Sequence, residues 1–252
     1  MPVKTTNITG TYLYAIIMCS ENQTYTFGGI DDCTVYSISN GRIAAVVSNV
    51  KKTKIRPERK QLKAHHEVLR KLMEENTPLP ISFGIIAEGT RSIQRILSKN
   101  QSNLLEQIHH VSDKMEMGIR VKWDVPNIFE FFVQTHPTLK IARDRFLDTY
   151  REPSQEDKIE LGKEFERILN EDREIHTEKV KKILSRYCFE IKQTKCRNEN
   201  EIMNLACLVG RDMQNLFEAG IFEAARAFDN NFAFDFNGPW APYNFVEIDL
   251  KL

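Results

Sequence analysis

The chain has 252 residues, and its 35 Lys+Arg balance 35 Asp+Glu, so the formal net charge at pH 7 is zero. Hydrophobic residues make up 41% and charged residues 28%, which excludes a disordered or fibrous chain, and a length of this order buries roughly 70–75% of the unfolded surface without disulfides or a metal. Zero balance argues against a protein that holds polyanions, and the longest apolar run, Tyr12–Cys19, is far short of the about 20 residues a spanning helix needs.

That run has no small-residue cleavage site and reads as a strand rather than a signal peptide. The five cysteines, Cys19, Cys33, Cys188, Cys196 and Cys207, are odd in number, scattered and never in a C-x-x-C pair. They read as small buried hydrophobes of a reduced, cytoplasmic protein.

Thr11–Cys19 is the first predicted strand. Gly28-Gly29 and Asp31-Asp32 then break the chain. Cys33–Ile38 and Arg42–Val47 follow as a hairpin around Ser39-Asn40-Gly41, since Asn and Gly both accept positive φ. A basic loop, Lys51–Pro57, leads into a helix with Pro57 near its first turn, and Leu62, His66, Leu69 and Met73 recur at helical spacing as its buried face. Thr77-Pro-Leu-Pro80 ends that helix, and Ile81–Ala87 reads as a short strand. A second helix spans Gly89 to Val111, with Ile93, Ile96, Leu97, Leu104, Leu105 and Ile108 inside. Met115–Asp124 alternates, with Met115, Met117, Ile119, Val121 and Trp123 on one face of a half-buried antiparallel strand.

After Pro126 the chain turns helical. Asn127–Gln134 and Leu139–Tyr150 are two short helices, and Ser154 with Asp157 marks the start of a third. More than half of residues 155–186 are charged. Their apolar stripe, Leu161, Phe165, Ile168, Val180, Ile183 and Tyr187, is narrow and interrupted by Glu171–Glu174, so this long charged helix packs along one seam. Strands at Tyr187–Lys192 and Ile202–Val209 flank a polar turn. A helix over Arg211–Phe228 carries Met213, Leu216, Phe217, Ile221 and Ala224/Ala225, and Phe232–Phe236 is a last strand.

The fold class expected is α+β in two domains with a junction near Asp113. Residues 1–112 form an N-terminal mixed α/β domain. Residues 113–252 form a C-terminal domain of ferredoxin-like order, strand–helices–strand–strand–helix–strand, with an enlarged helical crossover and a C-terminal tail.

No G-x-G-x-x-G, P-loop, H-E-x-x-H or G-x-S-x-G occurs in the chain. Within the doublets His65-His66 and His109-His110, neighbouring side chains point about 100° apart, so each doublet offers at most one ligand to a shared ion. Each reads as one buried, hydrogen-bonded histidine beside a solvated one. The run Lys51–Lys60 holds six cations and one acid without aromatics, a solvated face rather than a nucleic-acid site. No catalytic, metal-binding or cofactor-binding residue is assigned. What stands out is Gly238-Pro-Trp-Ala-Pro-Tyr-Asn-Phe245, a stiff aromatic loop set by two prolines and a glycine. Its aromatics Trp240, Tyr243 and Phe245 either cap the core of the second domain or line a patch for a partner.

Gly238-Pro-Trp-Ala-Pro-Tyr-Asn-Phe-Val246 resembles the C-terminal signature of the gas vesicle protein F/L family. Tyr12-Leu-Tyr-Ala-Ile-Ile17, Leu79-Pro-Ile-Ser-Phe-Gly84 and Met115–Asp124 fall in the family's order, so the resemblance covers nearly the whole chain. The middle motif departs from the family at Ser82, where an arginine is usual. The resemblance implies an accessory protein of gas vesicle formation, cytoplasmic and associated with gas vesicles. It implies that the chain binds the hydrophobic shell protein and assists its assembly or limits its aggregation, as an assembly factor or a minor vesicle component, and works beside other gas vesicle accessory proteins; no cofactor, nucleic acid or membrane is expected. It also implies two domains, the C-terminal one ferredoxin-like, and no catalytic residues. The alternatives are a small-ligand regulatory module of ferredoxin-like type and an enzyme without a known motif. Two surfaces are candidates for the partner: the loop bearing Trp240 and Tyr243, and an exposed face of the N-terminal strands bearing Tyr12, Tyr14 and Tyr36, which is slightly preferred.

Overall fold

The computed structural model describes residues 10–51, 53–147 and 154–248. Among these lie two antiparallel sheets and six α-helices. They fall into two compact units: the described residues up to Glu116 together with those from Pro239 on, and Met117–Gly238. The expected junction at Asp113 lies close to that boundary, whereas the tail expected in the second domain belongs to the first unit.

In the first unit, β1 (Gly10–Met18) occupies the middle of the sheet. β4 (Ile43–Val50) pairs along its whole length, from Gly10↔Val50 to Met18↔Ile43, with a register shift between Leu13 and Ala15. Burial on both faces explains why the β1 sequence is continuously apolar instead of alternating. β3 (Thr34–Ser39) joins β4 through the expected Asn40-Gly41 turn, in which Gly41 has φ +94° and Asn40 Oδ1 accepts from the N–H groups of Arg42 and Ile43. An edge strand, β2 (Thr24–Gly28), went unread because its half-exposed sequence carries no apolar run.

On the other side of β1 the predicted strand Ile81–Ala87 is two fragments, β5 (Leu79–Pro80) and β6 (Ile86–Ala87). Gly84, at φ +94°, breaks them apart. The intervening loop still follows β1: Ile81 N–H donates to Tyr14 C=O at 2.9 Å and Leu13 N–H to Ile85 C=O at 3.0 Å. Helices α1 (Arg59–Leu72) and α2 (Thr90–Val111) pack against this sheet. The inner face of α2 is the expected one. That of α1 is partly rotated: Leu69 and Met73 are buried as expected, but Gln61, His65, Val68 and Leu72 share that face, while His66 is exposed and Leu62 half-buried.

The second unit is built on β7 (Lys114–Trp123), whose odd-numbered residues from Met115 to Trp123 are buried as the alternation predicts. α3 (Ile128–Thr135) starts at Asn127, whose Oδ1 accepts from Glu130 N–H at 3.1 Å. α4 (Pro137–Leu147) starts earlier than expected, and the last residues of its predicted span, 148–150, lie outside the described residues. α5 (Gln155–Leu184) begins with the expected Ser154/Asp157 capping box and continues unbroken through Glu171–Glu174. Its buried positions jump from Leu169 to Thr177 across that charged stretch.

β8 (Glu190–Thr194) and β9 (Glu201–Gly210) pair antiparallel. α6 (Gln214–Ala225) is shorter than predicted, and its Leu216, expected inside, is 56% exposed. β10 (Phe232–Trp240) runs on through Gly238-Pro239-Trp240, so the first half of the expected loop is strand. The sheet order is β10-β7-β9-β8.

Candidate functional site

Three segments singled out in the sequence meet inside the first unit, around a histidine that the helical pattern of α1 had turned outward. His65 is 1% exposed. Its Nδ1 lies 2.9 Å from the Tyr12 hydroxyl of β1, and its Nε2 lies 3.0 Å from the hydroxyl of Tyr243. The Tyr12 hydroxyl also accepts from Gly84 N–H at 3.1 Å, and the Phe83 ring stands edge-on to both Tyr12 and His65. Strand β1, the 79–84 segment and the 239–248 tail are therefore stitched together by one imidazole.

The placement of the tyrosines corrects the expectation of an exposed strand face. Tyr12 and Tyr14 are fully buried, because β1 is an inner strand covered by α1 and α2. Their polar tips find partners, as buried hydroxyls must. Tyr14 donates to Ser48 Oγ at 3.1 Å and accepts from Ile30 N–H at 2.8 Å. The fit beside it needs Gly29, since a Cβ there would stand 2.1 Å from the Tyr14 hydroxyl oxygen. Tyr36, on β3, is half-buried and donates to Asn49 Oδ1 at 2.8 Å.

Burial sets the electrostatics of the network. It pushes His65 down to about 4, helped by the adjacent His66 and opposed by the Ile81 carbonyl, so the ring is neutral at physiological pH. Burial also raises Tyr12 and Tyr243, so both remain protonated hydroxyls. Glu116, read as a polar outward residue of β7, is only 7% exposed. Its carboxylate accepts from Asn244 N–H at 2.8 Å and from the Asn244 side-chain amide at 2.7 Å. Burial raises its pKa, with the two Asn244 hydrogen bonds pulling the other way. A third tie runs from Glu247 N–H to Gln107 Oε1 at 3.0 Å. The doublet His65-His66 marks one buried, hydrogen-bonded histidine, but the helical spacing assigns that place to His66 instead of His65; no sequence signal marks Glu116, which lies on a polar position of an otherwise regular pattern.

Held this way, the tail borders apolar concavities on both sides. One is a cleft of about 240 Å³ lined by Leu69, Met73, Glu116, Trp240 and Tyr243, with Trp240 46% exposed at its rim. The other is a groove of about 610 Å³ lined by Ile81, Ile85, Ile86, Tyr243, Val246 and Ile248, with Ile85 39% exposed. Ser82, at the position where the middle motif departs from its pattern, also lines this groove. Among the described residues, no group of three or more His, Cys, Asp or Glu is arranged to hold a metal ion, and no helix is long and apolar enough to cross a membrane. The arrangement offers shaped apolar surface on a rigid support, which is suited to binding.

The family model for the gas vesicle synthesis protein GvpL/GvpF matches residues 10–247. The chain belongs to that family. It is 25% identical over 242 residues to gas vesicle protein F of Nostoc sp. strain PCC 7120, covering 95% of this chain and 98% of that one. It is 27% identical over 248 residues to gas vesicle protein F of Streptomyces sp. strain CB03234, covering 94% and 99%. The crystal structure of GvpF from Anabaena sp. PCC7120 superposes with a TM-score of 0.82 at 24% identity, covering 96% of this chain and 99% of that one, a likeness of fold. The GvpL/GvpF match places the chain among the accessory proteins of gas vesicles, and it spans β1, the 79–84 segment and the tail that meet at His65.

Proposed function

We propose that this chain is an assembly factor that binds the hydrophobic gas vesicle shell protein through the apolar surface bordering its 239–248 tail. The observation that carries the reading is Trp240. It is a large aromatic left 46% exposed at the lip of an apolar cleft, on a segment that Tyr243 and Asn244 fix in place. An aromatic on a pre-shaped support binds with little ordering cost. The groove at Ile85, Val246 and Ile248 extends the apolar surface on the far side of Tyr243. Tyr12 and Tyr14 act behind this surface, as its support. The same reading makes the protein a non-enzymatic, cytoplasmic partner of the shell protein and of other accessory proteins. It treats the two compact units as two domains. The second is ferredoxin-like with an enlarged helical crossover, a topology supported by its element order and by the strand order β10-β7-β9-β8.

The alternative, a small-ligand regulatory module, calls for an enclosed pocket of roughly 300–1,000 Å³ with a few convergent polar groups. The cleft at Trp240, at about 240 Å³, is smaller than that, and the larger groove at Ile85 is open to solvent rather than enclosed. The deciding experiment is a pull-down of purified shell protein by the full chain and by Trp240→Ser and Ile85→Ser variants, with folding checked by circular dichroism. Each substitution is expected to reduce capture about tenfold. Undiminished capture by both folded variants would remove this surface from the reading. Failure of the unaltered chain to capture the shell protein would remove the partner.

A further inference from the structure

α6 is apolar on both sides. Phe217, Gly220, Ile221 and Ala224 face inward, yet Leu216 is 56% and Phe222 59% exposed, with Ala219 exposed between them. A helix that is apolar all round is normally covered. Leu216 and Phe222 lie three residues to either side of Ala219. Asp212 and Arg226 lie seven residues to either side, in the turn before the helix and just past its last residue. Seven residues make nearly two turns, so Arg226 returns to the Ala219 side. Asp212 and Arg226 are both exposed, and among the described residues neither side chain has a hydrogen bond or an ion pair. The neighbouring acids are already taken: Glu218 accepts from Gln214 Nε2 at 3.1 Å, and Glu223 accepts from Arg186 and Tyr187.

We infer that this face of α6 pairs antiparallel with the same face of a second copy of the chain, about a two-fold axis at Ala219. In such a pair a residue n positions before the axis meets the residue n positions after it on the other copy. Leu216 then packs against Phe222 of the second copy, and Phe222 against its Leu216. Asp212 meets Arg226 of the second copy at one end, and the same pair recurs at the other. Ala219 stands at the crossing, where a small side chain lets two helix backbones approach. An axis one turn on, at Phe222, puts a bulky ring at the crossing and leaves Leu216 opposite Phe228, past the end of α6. The face is therefore complementary to itself in size and in charge about one axis, which points to a second copy as its cover. α6 is only about 18 Å long, so the interface is small and the dimer forms reversibly with concentration.

Sedimentation equilibrium of the full chain, with melting curves to verify folding, tests this. The unaltered protein should show a monomer–dimer equilibrium. Leu216→Ser and Phe222→Ser each remove two apolar contacts across the axis and should weaken the dimer about tenfold. Asp212→Arg and Arg226→Asp each set like charges opposite one another at both ends and should weaken it about fivefold. The double reversal Asp212→Arg/Arg226→Asp should restore it to within about twofold. Each reversal also opposes the α6 dipole, so recovery in the double variant can come only from pairing across the axis. A protein that stays monomeric up to its solubility limit overturns the inference. So does a dimer that is indifferent to the serine variants, or one whose charge reversals are not rescued by the double.

Discussion

The two units hold their cores together by different means. In the first, buried polar groups tie the elements: His65 between Tyr12 and Tyr243, Tyr14 between Ser48 and Ile30, and Glu116 under Asn244. In the second, rings do most of it, beside a buried polar tie between Glu201 and Arg120 at 3.1 Å. Trp123 meets Phe132 edge-on at 5.1 Å, Phe165 meets Phe132 at 5.6 Å, and His136 stacks on Phe132 at 5.0 Å. A ring cluster tolerates small shifts because dispersion is only weakly directional. A buried hydrogen-bond network fixes one geometry, because each broken link leaves a desolvated polar group. The rigid scheme is found where the 239–248 tail is attached. The comparison teaches that the first unit should be sensitive to protonation and to single-atom intrusions, and the second to loss of volume.

The largest effect is expected from Phe132→Ala. The side chain is fully buried and touches four other rings, so its removal should cost about 3–5 kcal/mol. Urea unfolding followed in the second unit by Trp123 fluorescence would measure it. A cost below about 1 kcal/mol would mean the ring cluster does not hold the unit.

Next in size is a pH effect seated mainly in the first unit, although burial also lowers His176 in the second, in the same sense. His65 is held neutral, with its pKa pushed from 6.5 to about 4 by burial. The unfolded chain therefore binds a proton that the folded one refuses in this window. Stability should fall as pH drops from about 6.5 to about 4, by up to about 3 kcal/mol, and level off below. Glu116, whose pKa is raised, works in the opposite sense: its folded form retains a proton longer, and that contribution is lost as pH rises through its folded-state pKa. His65→Asn should lower stability at pH 7.5 but flatten the acid slope. An unchanged slope between pH 7.5 and 4.5 would clear His65 of the effect.

Gly29→Ala should be milder, at about 1–3 kcal/mol. The added Cβ meets the Tyr14 hydroxyl, which must give up its place on Ile30 N–H. Pairing it with Tyr14→Phe, which removes the obstructing oxygen, should recover part of the loss in thermal melts. A double variant no more stable than the single would place the strain elsewhere.

Most of the architecture was legible where one period dominates. The alternation of β7, the Asn40-Gly41 hairpin and the Ser154/Asp157 box each follow from short-range chemistry, and the structure reproduces them. What escaped depends on contacts distant in sequence. Tyr12 and Tyr14 look amphipathic, and only the position of β1 inside the sheet buries them. His65 and Gln61 are polar residues on the inner face of α1, so the apolar spacing of Leu62, His66, Leu69 and Met73 pointed to a face rotated by one residue. The 239–248 tail was legible as a stiff aromatic motif, but its attachment to the first unit rests on links to His65, Glu116 and Gln107 across more than 120 residues of sequence. No local pattern encodes such a link.

The smallest expected effect tests the comparison from the other side, on the long helix of the second unit. Lys181 lies on α5 one turn from Glu178, and its Nζ is 2.9 Å from Glu178 Oε1, with the glutamate side chain 66% exposed. A pair in that setting gains little over water and is screened by salt. Lys181→Glu exchanges a weak attraction for a weak repulsion at the same spacing, and should shift stability by no more than about 0.5 kcal/mol. Thirteen residues earlier on the same helix, Ile168 is 3% exposed. Ile168→Asp puts a charge at a buried position of α5, and should destabilise by several-fold more than the surface exchange. Side-by-side urea melts of the two variants decide the matter. Equal losses would show that α5 is held as much by its charges as by its apolar stripe, and the second unit would then no longer be the one held chiefly by packing.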